Sequence, residues 1–132
     1  MKSKNISAPT AHPQLPEEIL LTHKILSGKW RLIILYYLCN GEPQRFGEIK
    51  KNISGLTEHM LTTTLRDLEQ KGLIRREVFP EVPSRVEYSV TDKGQALRPI
   101  LAAMYVWGDK YLNVAKPVKS EQEAVIDNQP KI

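Results

Sequence analysis

Residues 57–70 carry short polar side chains and one arginine at a spacing that gathers them on one side of a helix. At about 100° per residue they lie opposite or beside the leucines of the same segment. Arginine binds guanine edges or phosphates, and threonine bonds to a base or packs its methyl group on thymine. This chemistry suits a DNA major groove, although an ordinary solvated helix face has the same composition. The residues expected at such a contact are Thr57, His59, Thr62, Thr63 and Arg66.

Five further basic residues flank this segment and are candidates for contacts with DNA phosphates. Lys50 and Lys51 precede it, and Arg75, Arg76 and Arg85 lie in the β-rich stretch that follows it. Arg75 and Arg76 are adjacent, so on a strand they point to opposite faces. We therefore expect at most one of the two to reach DNA.

The sequence offers little for catalysis or for metal binding. It contains no nucleophile elbow, phosphate loop or pair of carboxylates at catalytic spacing, so we expect no enzyme activity and no cofactor. The three histidines, His12, His23 and His59, are dispersed and no cysteine accompanies them, so we expect no metal site. The single cysteine, Cys39, lies in an apolar segment and is expected to be a buried small hydrophobic residue; the alternative is a redox-sensing thiol.

Composition indicates one ordinary globular domain. The chain has 132 residues, of which 41% are hydrophobic and 26% charged, and its net charge is +4. The longest apolar run, Leu32 to Cys39, is far shorter than the ~20 residues needed to span a bilayer. With no secretory signal and one cysteine, the sequence points to a reducing cytoplasm. The charge permits a polyanionic partner without requiring one.

The elements that would position these residues are five helices and one hairpin. Residues 1–14 and 113–132 are polar and are expected to be flexible, leaving a single domain over residues 15–112. Helices are predicted at about 16–27, 29–40, 46–52, 57–71 and 91–112, and strands at 74–79 and 86–90. The second helix is apolar around most of its circumference and is predicted to be the buried central one.

Local signals define the fourth helix best. Thr57 is a good N-cap, and Leu61, Leu65 and Leu68 form a stripe at i, i+4 and i+7. Gly72 suits a left-handed cap, which would fold the next residue back on the helix end. The two prolines between the strands suit an exposed hairpin tip.

The last helix carries an apolar arc wider than one side of a small domain usually covers. A second copy of the chain is the occupant we expect there, with the first helix packing alongside, and plain core packing is the alternative. The predicted dimer contacts are Ile19, Leu20, Leu97, Ile100, Leu101, Met104, Trp107, Gly108 and Tyr111.

A helix, a glycine-containing turn, a capped helix and a hairpin in this order indicate a winged helix-turn-helix. The predicted fold class is mainly α with a small β-hairpin (α+β), with additional N- and C-terminal dimerisation helices. Motifs in the same order resemble those of the HxlR-type bacterial transcriptional regulators over about residues 15–112. They are Gly28–Trp30, Phe46–Ile49, Met60–Thr62, Leu65–Glu69, Gly72–Ile74, Pro80–Pro83, Arg85–Tyr88 and Thr91–Gly94.

The resemblance implies a homodimer that binds an inverted-repeat DNA operator and regulates nearby genes, with an effector of unknown identity. Several relatives sense oxidants through a cysteine ahead of the first helix, and this chain has none there. The resemblance thus favours DNA binding over redox sensing. The alternative function is a winged-helix protein-interaction module without specific DNA binding.

Overall fold

The computed structural model describes residues 15–115, so the predictions for residues 1–14 and 116–132 lie outside the described chain. No helix in the described part is both long and apolar enough to cross a membrane. The elements are α1 (Glu17–Leu26), α2 (Lys29–Cys39), β1 (Gln44–Arg45), α3 (Phe46–Asn52), α4 (Glu58–Gln70), β2 (Ile74–Phe79), β3 (Arg85–Val90), α5 (Asp92–Gln95) and α6 (Arg98–Tyr111).

Helix α2 lies at the centre of the core, as its apolar sequence predicts. Ile34 and Leu35 are fully buried, and Leu38 is nearly so. They pack with buried residues from α3, α4, the start of β2 and α6. The core members outside α2 are Ile49, Ile53, Leu56, Leu61, Leu65, Leu68, Leu73, Ile74 and Leu101.

Both ends of α4 confirm the predicted caps. The Thr57 hydroxyl accepts a hydrogen bond from the Met60 N–H at 3.1 Å, which satisfies one of the free donors of the first turn. Gly72 has φ +75°, where a side chain would be strained. The N–H of Leu73 donates to the Leu68 carbonyl at 3.0 Å, the bond of a Schellman motif. These contacts fix where the helix stops and turn the chain into β2.

The sheet has three strands and not the two that were predicted. Its order is β1-β3-β2, with both pairs antiparallel. Strand β1 pairs Gln44 with Tyr88 and Arg45 with Glu87. A strand of two polar residues has no detectable alternation, so only its pairing with β3 reveals it. β1 leads directly into α3 and anchors that helix on the sheet.

The predicted continuous last helix is wrong, because the chain forms two helices, α5 and α6. Pro99 has no N–H to donate to the carbonyl of Gln95, and its ring crowds that carbonyl. The α-helical hydrogen bonding is therefore interrupted at residues 96–97, although both keep right-handed helical backbone angles, and α6 starts afresh with Pro99 in its first turn. The predicted cap on the first of the two is confirmed, since the Gly94 N–H donates to the Thr91 hydroxyl at 3.1 Å.

Candidate nucleic-acid interface

The face of α4 opposite its leucines is open to solvent. His59, Thr63 and Arg66 are exposed and Thr62 is half-buried, whereas the leucines of the stripe are fully or almost fully buried. Thr57 is exposed, but its hydroxyl is engaged as the N-cap. The helix therefore presents an imidazole, two threonine hydroxyls and a guanidinium outward from a rigidly packed backbone.

The turn before α4 sets the direction of that helix. Gly55 has φ +82°, and it lies against the indole of Trp30, whose nearest carbon is 3.7 Å from the position a Cβ would occupy. The next residue, Leu56, is buried and anchors the chain in the core. Helix α3, this turn and α4 together form the helix-turn-helix unit.

An ionic network holds α4 against α2. The carboxylate of Asp67 accepts from Lys71 Nζ at 2.6 Å and from Arg31 Nη1 at 3.2 Å. The hydrogen bond from Lys71, with the charges of Lys71 and Arg31, lowers the pKa of Asp67 below its ordinary value. The spacing of four residues makes the pair with Lys71 visible in sequence, but Arg31 comes from another helix and was missed.

The strand register separates the two adjacent arginines. Arg76 pairs with Tyr88 and Arg75 pairs with Ser89, so their side chains lie on opposite faces of the sheet. Arg76 and Tyr88 line one cleft with residues of α4, and the cleft has a volume of about 340 Å³. Its remaining lining residues are Phe46, Thr62, Leu65, Arg66 and Glu69. Arg76 therefore stands on the same side of the molecule as the polar face of α4.

Arg85, expected from sequence to contact DNA, is bonded within the hairpin. Its Nη1 lies 2.7 Å from Glu87 Oε2 and its Nη2 lies 2.9 Å from Glu81 Oε2. Its guanidinium carbon is 4.0 Å from the ring centre of Phe79. The two carboxylates raise the pKa of Arg85 above its already high ordinary value, so the side chain is always charged. Sequence reasoning missed both carboxylate partners, although Arg85 and Glu87 are two residues apart on one strand and therefore point to the same face.

The two lysines of α3 lie in its last turn. Lys51 is exposed and Lys50 is half-buried. Cations at this end also interact favourably with the helix dipole, so their position has a structural role as well.

The segment that forms this helix-turn-helix and hairpin has relatives among known proteins. Residues 25–116 match the sequence profile of the HxlR-like helix-turn-helix family. The chain belongs to this family. An HTH-type transcriptional regulator of Methanothermobacter thermautotrophicus is 51% identical over 86 residues, which cover 65% of each chain. Members are thus named as transcriptional regulators, and the chain is an HTH-type regulator of the HxlR-like kind.

Two solved structures share this fold. The redox regulator HypR in its oxidized form is 38% identical, with a TM-score of 0.67 over 74% of this chain and 99% of that one. The reduced form of the transcriptional regulator YodB from Bacillus subtilis is 31% identical, with a TM-score of 0.68 over 78% of this chain and 100% of that one. The winged-helix α+β fold class is therefore confirmed.

The cysteine of this HxlR-like chain is buried. The Cys39 thiol is 3.7 Å from the carbonyl oxygen of Gly94, to which it donates. Burial raises the pKa of Cys39 above its ordinary value of 9.0, and the charge of Arg98 offsets part of this. Among residues 15–115, no three His, Cys, Asp or Glu side chains are grouped so that they could hold a metal ion.

The residues predicted to form a dimer interface fall into three groups by exposure. Ile19, Ile100, Met104, Trp107 and Tyr111 are between 43% and 61% exposed, large values for such side chains. Leu20, Leu97 and Gly108 are half-buried. Leu101 is 3% exposed and belongs to the core of the protomer, because it packs with the buried residues of α2. Its assignment to the interface is corrected accordingly.

Proposed function

We propose that this HxlR-like regulator binds a specific inverted-repeat DNA operator as a homodimer. The observation that carries the proposal is the shared orientation of the α4 face and Arg76, which stand on the two sides of one cleft. An α-helix of about 10–12 Å diameter fits a major groove about 12 Å wide. A basic side chain from the adjacent hairpin then lies within reach of the flanking backbone.

The proposed contacts divide by chemistry. His59, Thr62, Thr63 and Arg66 are placed to face base edges and the nearby backbone, with Thr57 fixing the start of the helix. Lys50, Lys51 and Arg76 are assigned to phosphates. Arg75 lies on the opposite face of the sheet from Arg76 and serves as a built-in control.

The proposed dimer forms through α6. Ile100, Met104, Trp107 and Tyr111 follow one another at spacings of four, three and four residues, as in the seam of a coiled coil. All four are exposed in the protomer, and exposed apolar surface of this kind favours association. In such a dimer the two α4 helices would lie about 34 Å apart, one turn of DNA.

Fluorescence anisotropy against duplex from the chain's own upstream region, and against scrambled duplex, tests the proposal across a salt series. We expect tight binding to one duplex only, with log affinity falling linearly as log salt rises. Equal and weak binding to both would favour the protein-interaction alternative. That alternative has one observation behind it: α4 carries Glu58, Asp67 and Glu69 against the single arginine Arg66.

Variants at the two adjacent arginines test the docking direction. Arg76→Ala should weaken binding and reduce the salt slope by about 0.9, the loss of one phosphate contact. Arg75→Ala removes the same charge from the other face of the sheet and should leave the slope unchanged. Equal effects of both variants would mean that only net charge matters, which contradicts the proposed docking.

A further inference from the structure

Arg85 connects three parts of the hairpin, which we call the wing (residues 74–90). Its guanidinium donates to Glu87 on β3 and to Glu81 at the tip, and it lies over the ring of Phe79 at the end of β2. Phe79 is also the direct cross-strand partner of Arg85. One side chain thus ties the tip to both strands.

The tip has few other means of holding its shape. Residues 80–84 are exposed, and Val82 is fully so, so packing contributes little there. The Glu81 N–H donates to the Phe79 carbonyl at 2.8 Å, which closes a short turn at the beginning of the tip. The hydrogen bond from Arg85 to Glu81 then connects this turn to the start of β3.

The charge of Arg85 is already compensated. Both carboxylates lie within 3 Å of its guanidinium nitrogens, at 2.7 and 2.9 Å. The wing contains three arginines and three glutamates, so its formal net charge is zero. A phosphate would therefore compete with these two carboxylates for the guanidinium, and would gain less from it than from an arginine without acidic partners.

The register also turns Arg85 away from the cleft. Arg85 shares its strand face with Phe79 and Glu87, whereas Arg76 and Tyr88 occupy the opposite face, toward α4. We propose that Arg85 is a positioning residue that orders the wing tip for DNA, and that it is not itself a phosphate contact. The role in DNA binding rests on the proposed function, whereas the ordering of the tip is a property of the free protein.

The salt dependence of DNA binding separates positioning from contact. Arg85→Ala should weaken operator binding about 3- to 10-fold, because an unordered tip must be ordered on binding. Its plot of log affinity against log salt should keep the wild-type slope. Lys51→Ala is the matched control, and its slope should fall by about 0.9 if it removes a phosphate contact. A fall of that size with Arg85→Ala would overturn the proposal.

Hydrogen exchange of the free protein gives an independent readout. The amide of Glu81, which is hydrogen-bonded to Phe79, should exchange faster in Arg85→Ala than in the wild type, while amides of α2 and α4 keep their protection. Exchange that does not change in the tip would overturn the ordering role, whatever DNA does. Failure of the wild-type chain to bind any duplex would remove the proposed function and the DNA role of Arg85, while the exchange result would still decide the ordering.

Discussion

At the scale of single residues, the chain has a thiol whose chemistry is set by burial. Its single cysteine sits in the core, and burial raises the pKa of Cys39 above 9.0. The thiolate is the nucleophile, so a buried thiol with a raised pKa reacts slowly near neutral pH. Cys39 is therefore a packing residue in the described structure, and we expect any regulation to reach this protein by another route.

Thiol reagents test this directly. At pH 7.5 the native protein should react with a disulfide reagent at least about tenfold more slowly than the same protein in denaturant, because both burial and the low thiolate fraction oppose attack. Diamide treatment should leave DNA affinity unchanged. Fast labelling of the native protein together with lost DNA binding would support a redox-sensing role for Cys39. Cys39→Ala is the control and should abolish the labelling.

At the scale of elements, α4 is held by its buried stripe, its two caps and the Asp67 network. The network is partly exposed, with side-chain exposures near 30%, so each pair contributes a fraction of a kcal/mol. Because the network bridges α2 and α4, it also fixes the orientation of the proposed recognition helix.

Removing the carboxylate of Asp67 should destabilise the protein by an amount that depends on pH. Asp67→Asn should lower the free energy of unfolding by roughly 0.5–1 kcal/mol at pH 7, measured by urea denaturation. The pKa of Asp67 is lowered in the folded protein, so its contribution is present above the ordinary value of 3.8 and is lost as pH falls through the lowered folded value. The difference between variant and wild type should therefore shrink at acidic pH. Glu69→Gln, on the exposed side of the same turn, should show neither effect.

At the scale of the whole molecule, α6 exposes apolar side chains that the protomer does not cover. The rings of Trp107 and Tyr111 contact each other at a tilt of 42°, with ring centres 5.5 Å apart, and both remain more than half exposed. Aromatic residues at the centre of an interface commonly dominate its energy. The proposed dimer thus depends most on this pair.

Sedimentation equilibrium of a charged variant tests the dimer. Trp107→Glu should raise the dimer dissociation constant by about 30-fold or more, since losing a central aromatic contact costs about 2 kcal/mol. Val82→Glu adds the same charge at a fully exposed residue of the wing tip and should leave the constant unchanged. A wild-type chain that sediments as a monomer at high concentration would contradict the proposal.

Elements with local signals were predictable from the sequence. Thr57 and Gly72 define the ends of α4 because capping depends on neighbouring residues, and α3 was predicted with the bounds it has. The apolar period continues past Pro99, so it concealed the interruption between α5 and α6. A proline at that place was a sufficient signal to predict the break.

Features that depend on tertiary contacts were not predictable. Strand β1 exists because Gln44 and Arg45 meet β3, and nothing in those two residues signals it. The bond between Arg31 and Asp67 joins residues 36 positions apart. Similarly, Leu101 was assigned to an interface because the period of α6 marks apolar residues but not which of them face α2.

The division of α4 into a buried stripe and an exposed polar face separates two evolutionary demands on one helix. Substitutions on an exposed face usually change stability by no more than about 0.5 kcal/mol, whereas truncating a buried leucine costs about 2–5 kcal/mol. His59, Thr63 and Arg66 can therefore vary among descendants of this chain while the fold is kept. A duplicated copy of the gene would need only a few changes on this face to give the proposed recognition helix a new target, with no compensating mutations in the core.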